Sequence, residues 1–153
     1  MAGRQSAGIL LYRKTGHTIA VFLVHPGGPF WKNKDEGAWT IPKGEFTNEE
    51  EALAAAIREF REETGFELKG EFLPLTPIVQ KGGKKVYGWA LAGDIDAKAL
   101  QSNTFSMEWP PKSGRQTAFP EVDRGEWFTL IQARAKINTA QLGFLEELEG
   151  LLG

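Results

Sequence analysis

The stretch GEFTNEEEALAAAIREFREETGF, residues Gly44–Phe66, carries the strongest local signal in the chain. Its middle, Glu51 to Ile57, is rich in strong helix formers. Thr47 and Glu50 stand at the spacing of a capping box, so the expected helix begins at Thr47. Gly65 sits where helices favour a glycine just past their end. At about 100° per residue, Leu53, Ile57, Phe60 and Thr64 fall in one stripe, the expected buried face. Glu59, Glu62 and Glu63 share a different face, because residues three and four apart are neighbours on a helix. Like charges so placed oppose folding by a few tenths of a kcal/mol per pair. A Glu- and Arg-rich helix face is usually only solvated, but these three glutamates also form a set of hard oxygen donors. Magnesium or manganese binds such donors and keeps waters for a phosphate to replace.

Working outward, Pro42-Lys43-Gly44 reads as a turn that can bring a backbone carbonyl and a lysine beside the carboxylates. Apolar runs at Gly8–Tyr12 and Thr18–Val24 read as a strand pair, with His17 in the turn and His25 at a strand end. Residues 26–37 are loop by composition and carry the aromatics Phe30 and Trp31. Short strands are expected at 38–41, 68–80, 84–92 and 126–130. Irregular structure is expected through 95–120, where Trp109-Pro110-Pro111 interrupts any pattern. Residues 130–136 and 139–152 read as helices, the second with Leu142, Leu145, Leu148 and Leu152 on one face. Strands around a central helix, with helices at the end, imply an α/β sandwich with a mixed sheet.

The whole chain narrows the chemistry further. Its 153 residues are the size of one domain, able to build its own core. Without cysteine, disulfide frameworks, cysteine zinc sites, iron–sulfur clusters and thiol catalysis are excluded. Two histidines argue against a histidine-rich metal site. No apolar run approaches the roughly 20 residues of a membrane span. Met1–Ser6 lacks the apolar stretch of a signal peptide, so a cytoplasmic protein without membrane partners is expected. The net charge is −2, yet residues 49–63 hold six acids against two bases. An acidic cluster on a mildly basic body is a poor nucleic-acid surface but a good place for a divalent cation and an anionic substrate.

These residues resemble the Nudix box. Gly44, Glu50, Arg58-Glu59-Phe60, Glu62-Glu63 and Gly65-Phe66 fill every constrained position of that motif. The resemblance implies the Nudix fold, an α/β/α sandwich, as a single domain over residues 1–153. It implies hydrolysis of a nucleoside diphosphate linked to another moiety, with Mg2+ or Mn2+ as cofactor and a small-molecule nucleotide as partner. Carried over by position, Glu59, Glu62 and Glu63 are implied metal ligands, joined by the Gly44 carbonyl. Arg58 is the implied orienter of a catalytic glutamate. One glutamate acts as base toward water, Glu59 in some members. Glu50 matches the first glutamate of the box, and a helix-capping role explains it equally well.

Outside the box, Trp39-Thr40-Ile41-Pro42-Lys43-Gly44 is similar to the approach to the box in dinucleoside polyphosphate hydrolases. There Lys43 is implied to contact a phosphate; as a solvated turn lysine it would do nothing. Glu121, six residues before Trp127, resembles the loop glutamate of the same branch, a further ligand or base, and is also readable as a plain loop acid. Candidates for base stacking are Phe30, Trp31, Tyr87 and Trp89, and Lys81, Lys84 and Lys85 are candidates for distal phosphates. Nucleoside triphosphate pyrophosphatase, RNA 5′-pyrophosphohydrolase, nucleotide-sugar hydrolase and a catalytically silent nucleotide sensor remain open. The oligomeric state and the role of 94–120 are not legible.

Overall fold

The computed structural model describes residues 4–153; Met1, Ala2 and Gly3, part of the stretch read for a leader, lie outside the described residues. Strand β1 (Gln5–Thr15) is the axis of the main sheet. On one side it runs parallel to β5 (Lys85–Ala92) in the register Gln5↔Lys85 to Tyr12↔Ala92. Its other side is shared. Residues 12–15 pair antiparallel with β2 (Thr18–Pro26), and residues 6–8 pair antiparallel with β3 (Lys43–Glu45). Strand β4 (Leu73–Val79) closes one edge on β5, and β8 (Val122–Thr129) closes the other on β2. The sheet is therefore mixed, and β3 is carried to its centre by the short stretch before the glutamate helix.

Alternation along β1 explains the layers, since successive side chains of a strand point to opposite faces. Ala7, Ile9 and Leu11 join Phe22, Val24, Ala55, Ala56 and Phe60 beneath helix α1 (Ala52–Thr64). Leu10 and Tyr12 join Val21, Leu23, Trp39, Phe144, Leu145 and Leu148 on the other face. That face is covered by α2 (Leu130–Lys136) and α3 (Leu142–Leu152). This is the α/β/α sandwich expected from the sequence.

Several boundaries differ from expectation. Helix α1 starts at Ala52, with Glu51 as its N-cap and no side-chain cap. The Thr47 hydroxyl instead accepts the Glu49 N–H at 3.4 Å within a turn, and the Glu50 carboxylate turns to Arg58. The fully buried residues of α1 are Ala55, Ala56, Phe60 and Thr64, while Leu53 and Ile57 are half-buried. The Pro42-Lys43-Gly44 turn is the entry to β3. Residues 38–41 make only the isolated bridges Trp39↔Ile137 and Val24↔Thr40. The expected strand 68–80 contracts to β4, whose register shifts between Leu75 and Ile78, across Pro77. The stretch 95–120 is not wholly irregular: β6 (Thr104–Glu108) and β7 (Gln116–Pro120) form an antiparallel hairpin. Its pairing rests on Phe105 opposite Phe119, and its tip holds the Trp109-Pro110-Pro111 run that breaks the sequence pattern.

His25, at the end of β2, is fully buried. Its Nδ1 faces Asp123 at 2.9 Å and its Nε2 faces the Lys34 carbonyl at 2.6 Å, tying residues 26–37 to the sheet. On the α3 face, Phe144 packs so closely on β5 that a Cβ at Gly88 would stand 2.9 Å from its ring. Phe144→Ala is expected to cost about 3–5 kcal/mol, as for other buried aromatics truncated in a packed core. The check is the shift in urea midpoint.

Candidate active site

Phe60 and Thr64 fix one side of α1 against the sheet, and this turns Glu59, Glu62 and Glu63 toward the entry of β3. The Lys43 N–H donates to the Glu63 carboxylate at 3.3 Å. At Gly44, an added Cβ would lie 2.0 Å from the Glu59 carboxylate, so the Glu59 head rests directly on the glycine backbone. Arg58 organises the same face. Its Nε and Nη2 each donate to Glu50 at 2.8 Å, a two-pronged pair, and its Nη1 donates to Glu59 at 2.9 Å and to Glu62 at 3.1 Å. Glu50 thus serves as the anchor of Arg58, not as a helix cap.

Gly44, Glu59, Glu62 and Glu63 line a cleft of about 470 Å³ together with Glu121, Asn103, Thr40, Lys43 and Lys84. The carboxylates are poorly compensated. Burial pushes the Glu63 carboxyl up, and the neighbouring Glu59 adds to the rise while Lys43 works against it. Burial likewise raises Glu59 against the pull of Arg58, and burial and then Glu62 raise Glu121. Burial, followed by the nearby Lys84, lowers the Lys43 ammonium. Arg58 is held charged above its ordinary range, chiefly by Glu50, and in return it lowers Glu50. Among the described residues, no three acidic or histidine side chains close on a common point. The glutamates are separate oxygen donors around the cleft, not a finished shell.

A second recess, also of about 470 Å³, shares Pro26, Thr40, Lys43 and Lys84 with the first and extends to Trp31, Gln80, Lys81 and the 138–141 turn. The structure therefore brings together Gly44, Glu59, Glu62, Glu63, Glu121 and Lys43 at one cleft, with Lys81 and Trp31 at the adjoining recess. Arg58 stands behind the carboxylates. Tyr87 and Lys85 line neither space: Tyr87 packs edge-on to Phe46 with ring centroids 6.0 Å apart, and the Lys85 ammonium sits 4.8 Å above the Tyr87 ring. Asn103 was not legible as a cleft residue, because it precedes the hairpin and no local pattern marks it. Of the three lysines, Lys84, in the turn before β5, lines both spaces, Lys81 lines the recess and Lys85 neither.

The NUDIX domain family matches residues 3–148. The chain belongs to the Nudix family. Among solved structures, this Nudix chain is similar to a Caenorhabditis elegans Ap4A hydrolase in a binary complex. The two share 23% identity with a TM-score of 0.67, over 96% of this chain and 97% of that one. It is also similar to the NUDIX domain of Shewanella oneidensis NrtR complexed with ADP ribose, at 16% identity and a TM-score of 0.68, over 100% and 90% of the chains. The Escherichia coli ORF135 protein follows at 18% identity and a TM-score of 0.62, over 98% and 91%. No curated protein gives a significant sequence match. Family membership makes the chain a hydrolase of pyrophosphate-type anhydrides. No helix among the described residues is long and apolar enough to cross a membrane.

Gly44 does not have a positive φ, so alanine fits its backbone, but the new Cβ would displace the Glu59 head from its rest. Gly44→Ala is expected to lower kcat about 100-fold, the scale of a 1 Å misplacement at a reacting centre. Because a flexible side-chain end absorbs the clash, the urea midpoint should move little. Steady-state kinetics beside a urea melt checks both.

Proposed function

We propose that this Nudix hydrolase is divalent-metal-dependent and cleaves a phosphoanhydride of a nucleotide, with dinucleoside polyphosphates as its substrate class. The observation that carries this reading is the polarity of the cleft. Glu59, Glu62, Glu63 and Glu121 lie along it with Lys43 and Lys84, and the two lysines lead into a recess bordered by Lys81 and Trp31. A chain of phosphates fits this arrangement, with its reacting phosphorus at the carboxylates and its far phosphates on the lysines. Trp31 is 38% exposed, with the Lys34 ammonium 5.0 Å from its ring centroid, and a base would stack on the ring face that Lys34 leaves.

The donor chemistry fits Mg2+ or Mn2+. The candidates are carboxylates and a main-chain carbonyl at Gly44, all hard oxygens, and three of the carboxyls are already raised by burial and mutual repulsion. When bound, the metal supplies charge neutralisation of phosphate oxygens and a more acidic water. The chain's own residues do the rest. Arg58, anchored by Glu50, holds Glu59 and Glu62 in place. A glutamate of this set accepts the proton of the attacking water, and the family resemblance supports Glu59 for that role. Lys43 and Lys84 position the phosphates by charge. Phosphoryl chemistry depends on this kind of positioning more than on covalent catalysis.

The resemblance of the stretch Trp39–Gly44 to dinucleoside polyphosphate hydrolases and the fold likeness to an Ap4A hydrolase support the substrate class. The likeness to a domain complexed with ADP ribose favours a second reading, a nucleoside diphosphate joined to a sugar. Purified protein with Mg2+ and then Mn2+ should be profiled against diadenosine polyphosphates, nucleoside triphosphates and nucleotide sugars. Asymmetric cleavage of a diadenosine polyphosphate is the expected result; activity confined to triphosphates or sugars discards the branch. Glu62→Gln and Glu63→Gln are each expected to abolish turnover while the circular dichroism spectrum stays native. Full activity in both would remove the carboxylates from the mechanism.

A further inference from the structure

Asn103 is held unusually well for a residue in a connection. Its N–H donates to the Glu62 main-chain carbonyl at 2.8 Å, and its carbonyl accepts the Glu121 N–H at 2.9 Å. The Ser102 hydroxyl also donates to that carbonyl, at 2.8 Å, and accepts the Val122 N–H at 3.0 Å. The backbone of Asn103 is thus clamped between the glutamate helix and Glu121, at the base of the β6–β7 hairpin. All of these contacts are main-chain on the Asn103 side. Its carboxamide makes no hydrogen bond to the protein among the described residues, and Asn103, an exposed residue, is among those that line the cleft.

The chemistry of the other lining groups makes this carboxamide distinctive. Glu59, Glu62, Glu63 and Glu121 only accept hydrogen bonds once ionised, the state a bound divalent cation would favour, and so do phosphate oxygens. The Thr40 hydroxyl is already engaged, donating to the Ile41 carbonyl and accepting from Gln141. Lys43 and Lys84 donate, but as point charges on long side chains. With the carboxylates ionised, Asn103 therefore offers the one uncommitted neutral side-chain donor among the described lining residues, and its main chain is tied directly to Glu62 and Glu121.

We propose that Asn103 is a substrate-contacting residue whose Nδ2 donates to a phosphate oxygen of the bound nucleotide, on the side where the glutamates would otherwise repel it. This rests on the nucleotide reading above. The function of the hairpin follows: it connects Asn103 to Glu121 and sets both against α1. A carboxylate at 103 would add to the repulsion, whereas the amide bridges it. Because the side chain supports none of the local backbone contacts, replacing it leaves the clamp intact.

The test is calorimetric binding of Mn2+ alone, and then of the non-hydrolysable imido analogue of ATP with Mn2+ present. Wild type is compared with Asn103→Ala, Asn103→Asp and Asn103→Gln, with melting temperatures alongside. All variants should melt within a few degrees of wild type, and Asn103→Ala should bind Mn2+ as wild type does. The analogue should bind Asn103→Ala about tenfold or more weakly, the loss of one hydrogen bond to a charged group. Asn103→Asp should be weaker again, and Asn103→Gln should recover part of the loss. Wild-type affinity for the analogue in Asn103→Ala overturns the assignment, and so does a loss of Mn2+ binding in that variant. If wild type binds Mn2+ but not the analogue, the nucleotide reading falls, and this assignment falls with it.

Discussion

Three carboxylates on one helix face, drawn partly out of water, are the constraint on which the rest of this molecule depends. Left alone, Glu59, Glu62 and Glu63 repel one another and lose hydration, and the rise of Glu59 and Glu63 is the sign of both costs. The fold offsets this with the Arg58 guanidinium at Glu59 and Glu62 and with Lys43 at Glu63. Arg58 contacts Glu59 and Glu62 from behind while Glu50 grips its other edge, so a charge that could swing freely is fixed by a two-pronged pair. The remaining imbalance faces the cleft, which is where a cation and an anionic substrate can use it.

The sandwich exists to hold that face still. Strand β1 divides its edge between β2 and β3, and so the short β3 is locked into the sheet centre beside α1. Gly8, on β1, lets β3 come close: an added Cβ there would lie 2.5 Å from the Pro42 carbonyl. Gly44 then lets the Glu59 head approach the β3 backbone. Two glycines, each needed for close approach, transmit the sheet geometry to a carboxylate. Packing of Phe60 beneath α1 sets the rotation of the helix, and hence which glutamates look into the cleft.

The rest of the cleft wall is assembled from distant parts of the chain. Lys84 arrives from the turn before β5, Asn103 and Glu121 from the two ends of a hairpin, and Trp31 from a loop tied down by His25 and its contact with the Lys34 carbonyl. The main chain links these pieces directly, through Asn103 to Glu62 and through the Gly27 N–H to the Glu121 carbonyl at 2.9 Å. The cleft is therefore completed by segments with little regular structure, held by a rigid centre, a common division of labour in enzymes.

By itself the sequence determined the helix and its glutamates, the apolar runs of the sheet and an α/β sandwich with a mixed sheet. These follow from local periodicity and composition, which are written residue by residue. The resemblance to the Nudix box also implied Arg58 as the partner of a glutamate, and the structure pairs it with Glu50, Glu59 and Glu62. Tertiary structure decided what periodicity does not encode. It moved the helix start from Thr47 to Ala52 by giving Glu50 to Arg58, since a buried-edge ion pair eight residues away outcompetes a local cap. It made a strand of Lys43–Glu45, because β1 had unpaired backbone to satisfy there. It built a hairpin within 95–120, where Phe105 and Phe119 meet across a break that the prolines had hidden. It separated Lys84 from Lys85 and turned Tyr87 toward Phe46, since strand alternation and cross-strand packing decide which side chains face a cleft. Those are contacts between residues far apart in the chain, and only folding brings them together.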